Sequence, residues 1–135
     1  MTVKNPKLLP LFEDLKGMLE PLADRFTVRN AEAGRYELWS DVNIAPAGKP
    51  KHEPYFAGLI VQKNYVGLYF MPIYTDPDIR VSLGAELLST LHGQSCFYIT
   101  NLTPTLREQL ASALQLGLAL YEAKGWVGNR QAKTP

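Results

Sequence analysis

The chain has 135 residues, 46% of them apolar and 20% charged, with 14 Lys and Arg against 13 Asp and Glu for a net charge of +1. That length suits one compact domain with a real core and falls short of two ordinary ones, so residues 1–135 read as a single domain. The near-neutral balance supplies no electrostatic case for nucleic acid or an anionic membrane surface as a partner.

Lys4 and Lys7 are followed by Pro10, Glu13 and Asp14, which interrupt any long apolar run. Neither a signal peptide nor a membrane span is expected, and a cytoplasmic location is. Leu8, Leu11, Phe12, Leu15, Met18, Leu19 and Leu22 recur at steps of three and four, which predicts an amphipathic helix. Asn5 is placed to cap it, Pro6 suits its first position, and Pro21 ends or kinks it near Glu20. Short alternating runs follow from Phe26 to Arg29 and from Arg35 to Ser40, predicting two strands around a turn at 30–34. The stretch 41–54, with Pro46, Gly48, Pro50 and Pro54, predicts a loop that is long for so small a domain.

From Tyr55 to Tyr74 the chain reads as two strands hinged at Lys63-Asn64. A two-residue turn there pairs Val61 with Val66, Leu59 with Leu68 and Ala57 with Phe70. One face then collects Ala57, Leu59, Val61, Val66, Leu68 and Phe70 as a core face. The other collects Phe56, Ile60, Tyr65, Tyr69 and Met71, with Gly58 and Gly67 leaving room beside the tyrosines.

Asp76-Pro77-Asp78 predicts a turn, and Leu83, Leu87, Leu88 and Leu91 a short helix stopped by Gly93. A strand returns over Ser95 to Thr100. Thr103-Pro104 opens a last helix, with Thr105 and Glu108 as an alternative capping box, and with Leu106, Leu110, Ala113, Leu114, Gly117 and Tyr121 as its inner stripe. Gly125 ends that helix, Trp126 folds back on it, and 127–135 reads as a frayed tail. The expected fold is α+β: an antiparallel sheet of about five strands, with both terminal helices on the face that holds Val61 and Leu68.

Gly34-Arg-Tyr-Glu-Leu38, Tyr55-Phe-Ala-Gly58, Tyr65-Val-Gly-Leu-Tyr69, Met71-Pro-Ile-Tyr74 and Gly93-Gln-Ser-Cys-Phe97 resemble the bacterial YdhG-like family of unknown function. The resemblance covers nearly the whole chain and implies a frataxin-like fold. It also implies an alternative role as an iron chaperone through acidic residues of the first helix, whose matches here are Glu13, Asp14, Glu20 and Asp24. Lys16 and Arg25 stand among these carboxylates, where a hard cation wants converging oxygens without competing charge.

No other chemistry is written into the residues. His52, His92 and Cys96 lack the partners of a zinc site, and the lone cysteine excludes an internal disulfide and fits a reducing compartment. No Gly-rich loop joins a strand to a helix, and no triad or carboxylate pair is spaced for catalysis, so no enzyme and no cofactor are expected. Phe56, Tyr65, Tyr69, Met71 and Trp39 predict an aromatic and thioether patch on the open sheet face, the residue types enriched at binding surfaces. Alternatively, the 41–54 loop and the 83–91 helix fold over that face and leave a pocket, with Lys51, Tyr55, Tyr36 and Tyr74 near its rim. The expected function is a non-enzymatic binding domain using the outer face of the central hairpin for a small molecule or a protein, with a homodimer as the simplest case.

Overall fold

In the computed structural model, which describes residues 3–44 and 53–127, Asn5 caps the first turn: its Oδ1 accepts from the Lys7 amide at 3.1 Å. A 3₁₀ turn over Pro6–Leu8 leads into α1, Leu9–Leu19. Pro21 has no amide to continue the ladder, and the chain tightens into a 3₁₀ segment over Glu20–Arg25. Phe12, Leu15, Leu19 and Leu22 form the buried stripe.

Six antiparallel strands build the sheet among the described residues: β1 (Thr27–Glu32), β2 (Arg35–Trp39), β3 (Tyr55–Val61), β4 (Val66–Phe70), β5 (Leu91–His92) and β6 (Cys96–Ile99), in the order β1-β2-β3-β4-β6-β5. The coarse α+β class is as expected, with one strand more than the sequence suggests. That extra strand, β5, is only two residues long, and it pairs back on β6 across a turn where Gly93 takes a φ of +68°. The β3–β4 hairpin has the register read from its sequence, and the Gln62 amide closes it on the Tyr65 carbonyl at 2.8 Å.

Tyr36, Leu38, Ala57, Leu59, Val61, Val66, Leu68, Phe70, Phe97 and Ile99 face the helices, each at most 4% exposed. With α1 and α4 (Pro104–Ala123) they make one continuous core. Thr103 rather than Thr105 caps α4, accepting from the Leu106 amide at 3.0 Å while its hydroxyl donates to Glu86 at 2.5 Å. At the far end Gly125, with a φ of +74°, supplies the left-handed residue that lets the Trp126 amide reach the Tyr121 carbonyl at 2.9 Å and the Gly125 amide reach Glu122 at 3.0 Å. This is a Schellman cap, and its fold-back packs the Trp126 ring edge-on against Tyr121, 5.1 Å between centroids.

Three sequence expectations change. Leu38 pairs with Ala57 while Trp39 pairs with Tyr55, so Phe56 is an extra residue in a β-bulge. Both Phe56 and Ala57 therefore turn inward. Phe56 is fully buried, stacked on Phe26 at 4.3 Å and edge-on to Tyr121 at 5.1 Å, and belongs to the core rather than to the outer patch. The second hairpin strand stops at Phe70, and Met71–Thr75 forms a short helix, α2, whose second residue, Pro72, suits a first turn; Met71 leaves the sheet face with it. The helix expected over 83–91 shortens to α3 (Ala85–Leu88) and packs on α4 through buried Leu87, whose amide donates to Gln109 at 2.9 Å. It lies on the helical side and does not cover the outer face.

Candidate functional site

The outer face covers its own gaps with rings. Tyr55 lies over Gly58 so closely that a Cβ there would collide with its phenol, and Tyr69 lies over Gly67, where a Cβ would sit 3.3 Å from the ring. Tyr98 is sandwiched between Tyr65 at 3.8 Å and His92 at 3.7 Å, both within 9° of parallel. Its hydrogen bond with Tyr98, then burial, pushes the Tyr65 phenol up to about 12. Burial also raises Tyr69 and the Cys96 thiol, so Cys96 is not a ready nucleophile.

On the β1–β2 half of the same face stands a buried carboxylate. Glu37 is 4% exposed and takes hydrogen bonds from Asn30 at 2.8 Å, Trp39 Nε1 at 3.1 Å and Arg35 Nε at 2.9 Å, with Arg35 Nη2 at 2.8 Å. Burial alone would raise its pKa, but these bonds and the Arg35 charge outweigh burial and hold it below the ordinary value. Trp39 in turn stacks on Tyr55 at 4.7 Å and has the Arg29 guanidinium 4.7 Å from its ring centroid. Arg29 is ion-paired with Glu53.

At the end of the sheet, where β2, the start of β3, α2 and the end of α4 meet, these elements line an open cavity of about 380 Å³. Trp39, Tyr55, Met71, Tyr74, Tyr121 and Trp126 supply most of its wall, and Ile44, Glu53, Pro54 and Thr75 complete it. Each side chain arrives by a separate local device. The bulge at Phe56 lets Tyr55 point outward beside Trp39, the α2 turn brings Met71 and Tyr74, and the Schellman cap brings Trp126. Two cross-links tie them together: the Tyr121 hydroxyl donates to the Tyr55 carbonyl at 2.6 Å, and the Ser40 hydroxyl donates to the Trp126 carbonyl. Burial pushes the Tyr121 and Tyr55 phenols well up, so both are neutral donors at neutral pH.

Of the residues singled out by sequence, the structure thus brings Trp39, Tyr55, Met71 and Tyr74 to one cavity. Tyr65 and Tyr69 stay on the outer face away from it. Tyr36 is on the inner face, 4% exposed with Lys16 Nζ 5.4 Å from its ring centroid, because it pairs with Leu59 in the core register; it is not a rim residue. Lys51 and His52 lie outside the described residues. Tyr121, Trp126 and Glu53 escaped the sequence reading as site residues, although Gly125 already signalled the fold-back that carries Trp126. Glu13 and Asp14 on α1 and Glu20 and Asp24 beyond it are all exposed. Among the described residues no three His, Cys, Asp or Glu are placed to hold a metal ion, and no helix is long and apolar enough to cross a membrane.

No family model, curated protein or solved structure matches the chain. The likeness to the YdhG-like family and its frataxin-like fold rests on the sequence motifs alone.

Proposed function

We propose that this protein is a non-enzymatic binding domain that takes a small, flat, largely apolar molecule into the cavity at the end of its sheet. The observation that carries this reading is convergence: both tryptophans of the chain, three tyrosines and Met71 meet around one cavity of about 380 Å³. Cavities of roughly 300–1,000 Å³ with aromatic walls and a few polar groups are the usual form of small-molecule sites. The polar groups here stand as such sites need them, with the Tyr74 hydroxyl on a side chain 54% exposed and Glu53 already ion-paired. The lining holds rings rather than a nucleophile beside a base, which favours binding over turnover. The hydroxyls of Tyr121 and Ser40 hold the main-chain carbonyls of Tyr55 and Trp126, so the walls are preorganised and little ordering opposes capture of a ligand.

Because the chain has only two tryptophans and both line the cavity, their two indole N–H signals in a ¹H–¹⁵N spectrum give two probes of the site. Titration with 2-naphthol, an uncharged bicyclic probe, is expected to move both signals saturably. Tyr74→Ala, at the mouth, should weaken the affinity about fivefold, the worth of one aromatic contact, without altering the rest of the spectrum. Shifts confined to other parts of the molecule, or none at all, would show that the cavity is not a site.

A further inference from the structure

We propose that Glu37 is the positioning residue of this cavity: its buried carboxylate holds the Trp39 indole N–H, so that Trp39 meets a ligand with its ring alone. The inference rests on the binding reading above.

A carboxylate 4% exposed on a sheet face is costly unless every lone pair is used. Glu37 uses them evenly. Oε1 takes Asn30 at 2.8 Å and Trp39 at 3.1 Å, and Oε2 takes Arg35 twice, at 2.9 and 2.8 Å. Only a carboxylate accepts four such donors, since a glutamine at this position would turn an NH₂ toward one pair of them. The chain also distorts to complete the set. Asn30 holds a φ of +53° next to an irregular β1–β2 register, a conformation that Asn tolerates better than most residues.

An apolar side chain here would serve stability as well as a paired charge does. What the charge adds is direction. An indole has one donor and no acceptor, and in Trp39 that donor is spent on Glu37. With Tyr55 stacked on the ring and Arg29 beside it, bound in turn to Glu53 of the cavity wall, the indole is held from several sides. Trp39 therefore supplies stacking and dispersion but no hydrogen bond, and a ligand's polar atoms are met by the other polar side chains of the wall, Tyr74, Thr75 and Glu53. The ligand class this selects is a flat ring system whose polar substituent sits at one end.

The test is Glu37→Met, of similar length but without the carboxylate, in the full chain, followed through the Trp39 indole N–H signal and through 2-naphthol affinity. The variant is expected to move the Trp39 signal before any probe is added, to leave the Trp126 signal in place, and to weaken the probe about five- to tenfold. A purely structural Glu37 would lower stability without changing the affinity of the folded protein. Unchanged affinity with a displaced Trp39 signal overturns the proposal and leaves the cavity reading intact. A wild-type protein that does not bind the probe at all removes both. Should the variant not fold, hydrogen exchange in the wild type decides: the Trp39 indole N–H is expected to exchange more slowly than that of Trp126, and equal rates would show that Glu37 does not hold it.

Discussion

The two faces of the sheet solve the same steric problem by opposite means. On the inner face, Leu38, Leu59, Leu68 and Phe97 are buried under helices, and Gly117 of α4 lies against Phe70 and Pro72. On the outer face no helix is laid down among the described residues, and the strands cover themselves. Tyr55 and Tyr69 fold over Gly58 and Gly67, and Tyr65, Tyr98 and His92 stack in a row. A glycine in α4 lets the helix approach the rings of the inner face, whereas a glycine on the outer face of the sheet admits a neighbouring ring of the same sheet. The inner face therefore specifies the fold, and the outer face is free to carry polar chemistry such as the Glu37 network.

The largest effect should come from the residue that crosses between the two. Phe56→Ala empties a fully buried site at the bulge and is expected to cost about 3–5 kcal/mol in chemical denaturation. A cost under 1 kcal/mol would mean that Phe56 is not core. The paired glycines sharpen the contrast. Gly117→Ala would set a Cβ 2.6 Å from Phe70 Cζ and 2.8 Å from Pro72 Cγ, both immobile, and should cost roughly 1–3 kcal/mol even after the helix-propensity gain of about 1 kcal/mol. Gly58→Ala meets the end of the Tyr55 side chain, which can swing away, and stands 3.1 Å from Glu37 Cγ. It should cost about 1 kcal/mol or less, while disturbing the Tyr55–Trp39 stack and weakening 2-naphthol. Equal costs for the two would erase the distinction between the faces.

The smallest effect is a matter of pH. Tyr65 is raised from 10.0 to about 12, so its neutral form is the one the fold favours. The stability it contributes is whole below pH 10 and lost as pH rises through about 12. Spectrophotometric titration should show Tyr65 ionising in that window, and Tyr65→Phe should remove that step. Ionisation of every tyrosine at the ordinary value would dissolve the stacked row as a real contact.

Much of the fold was legible locally. The α1 and α4 stripes, the Asn5 and Thr103 caps and the Gly125 stop follow from helical spacing and from groups within a few residues of one another. The β3–β4 register follows from alternation across a two-residue turn, because a slip of one residue would put Leu59 and Leu68 in water. The bulge at Phe56 was not legible, since Tyr55, Phe56 and Ala57 are all compatible with either face and the choice depends on the neighbouring β2 strand. Tyr36 was misplaced for the same reason. The sequence alone thus determined the two long helices with their apolar stripes and the register of the β3–β4 hairpin, since those depend on short-range periodicity and capping, whereas α2 and β5 lay beyond it. Tertiary structure alone decided the candidate site, because Trp39, Tyr55, Met71 and Trp126 lie far apart along the chain and meet only when a bulge, a short helix and a Schellman cap close on one end of the sheet.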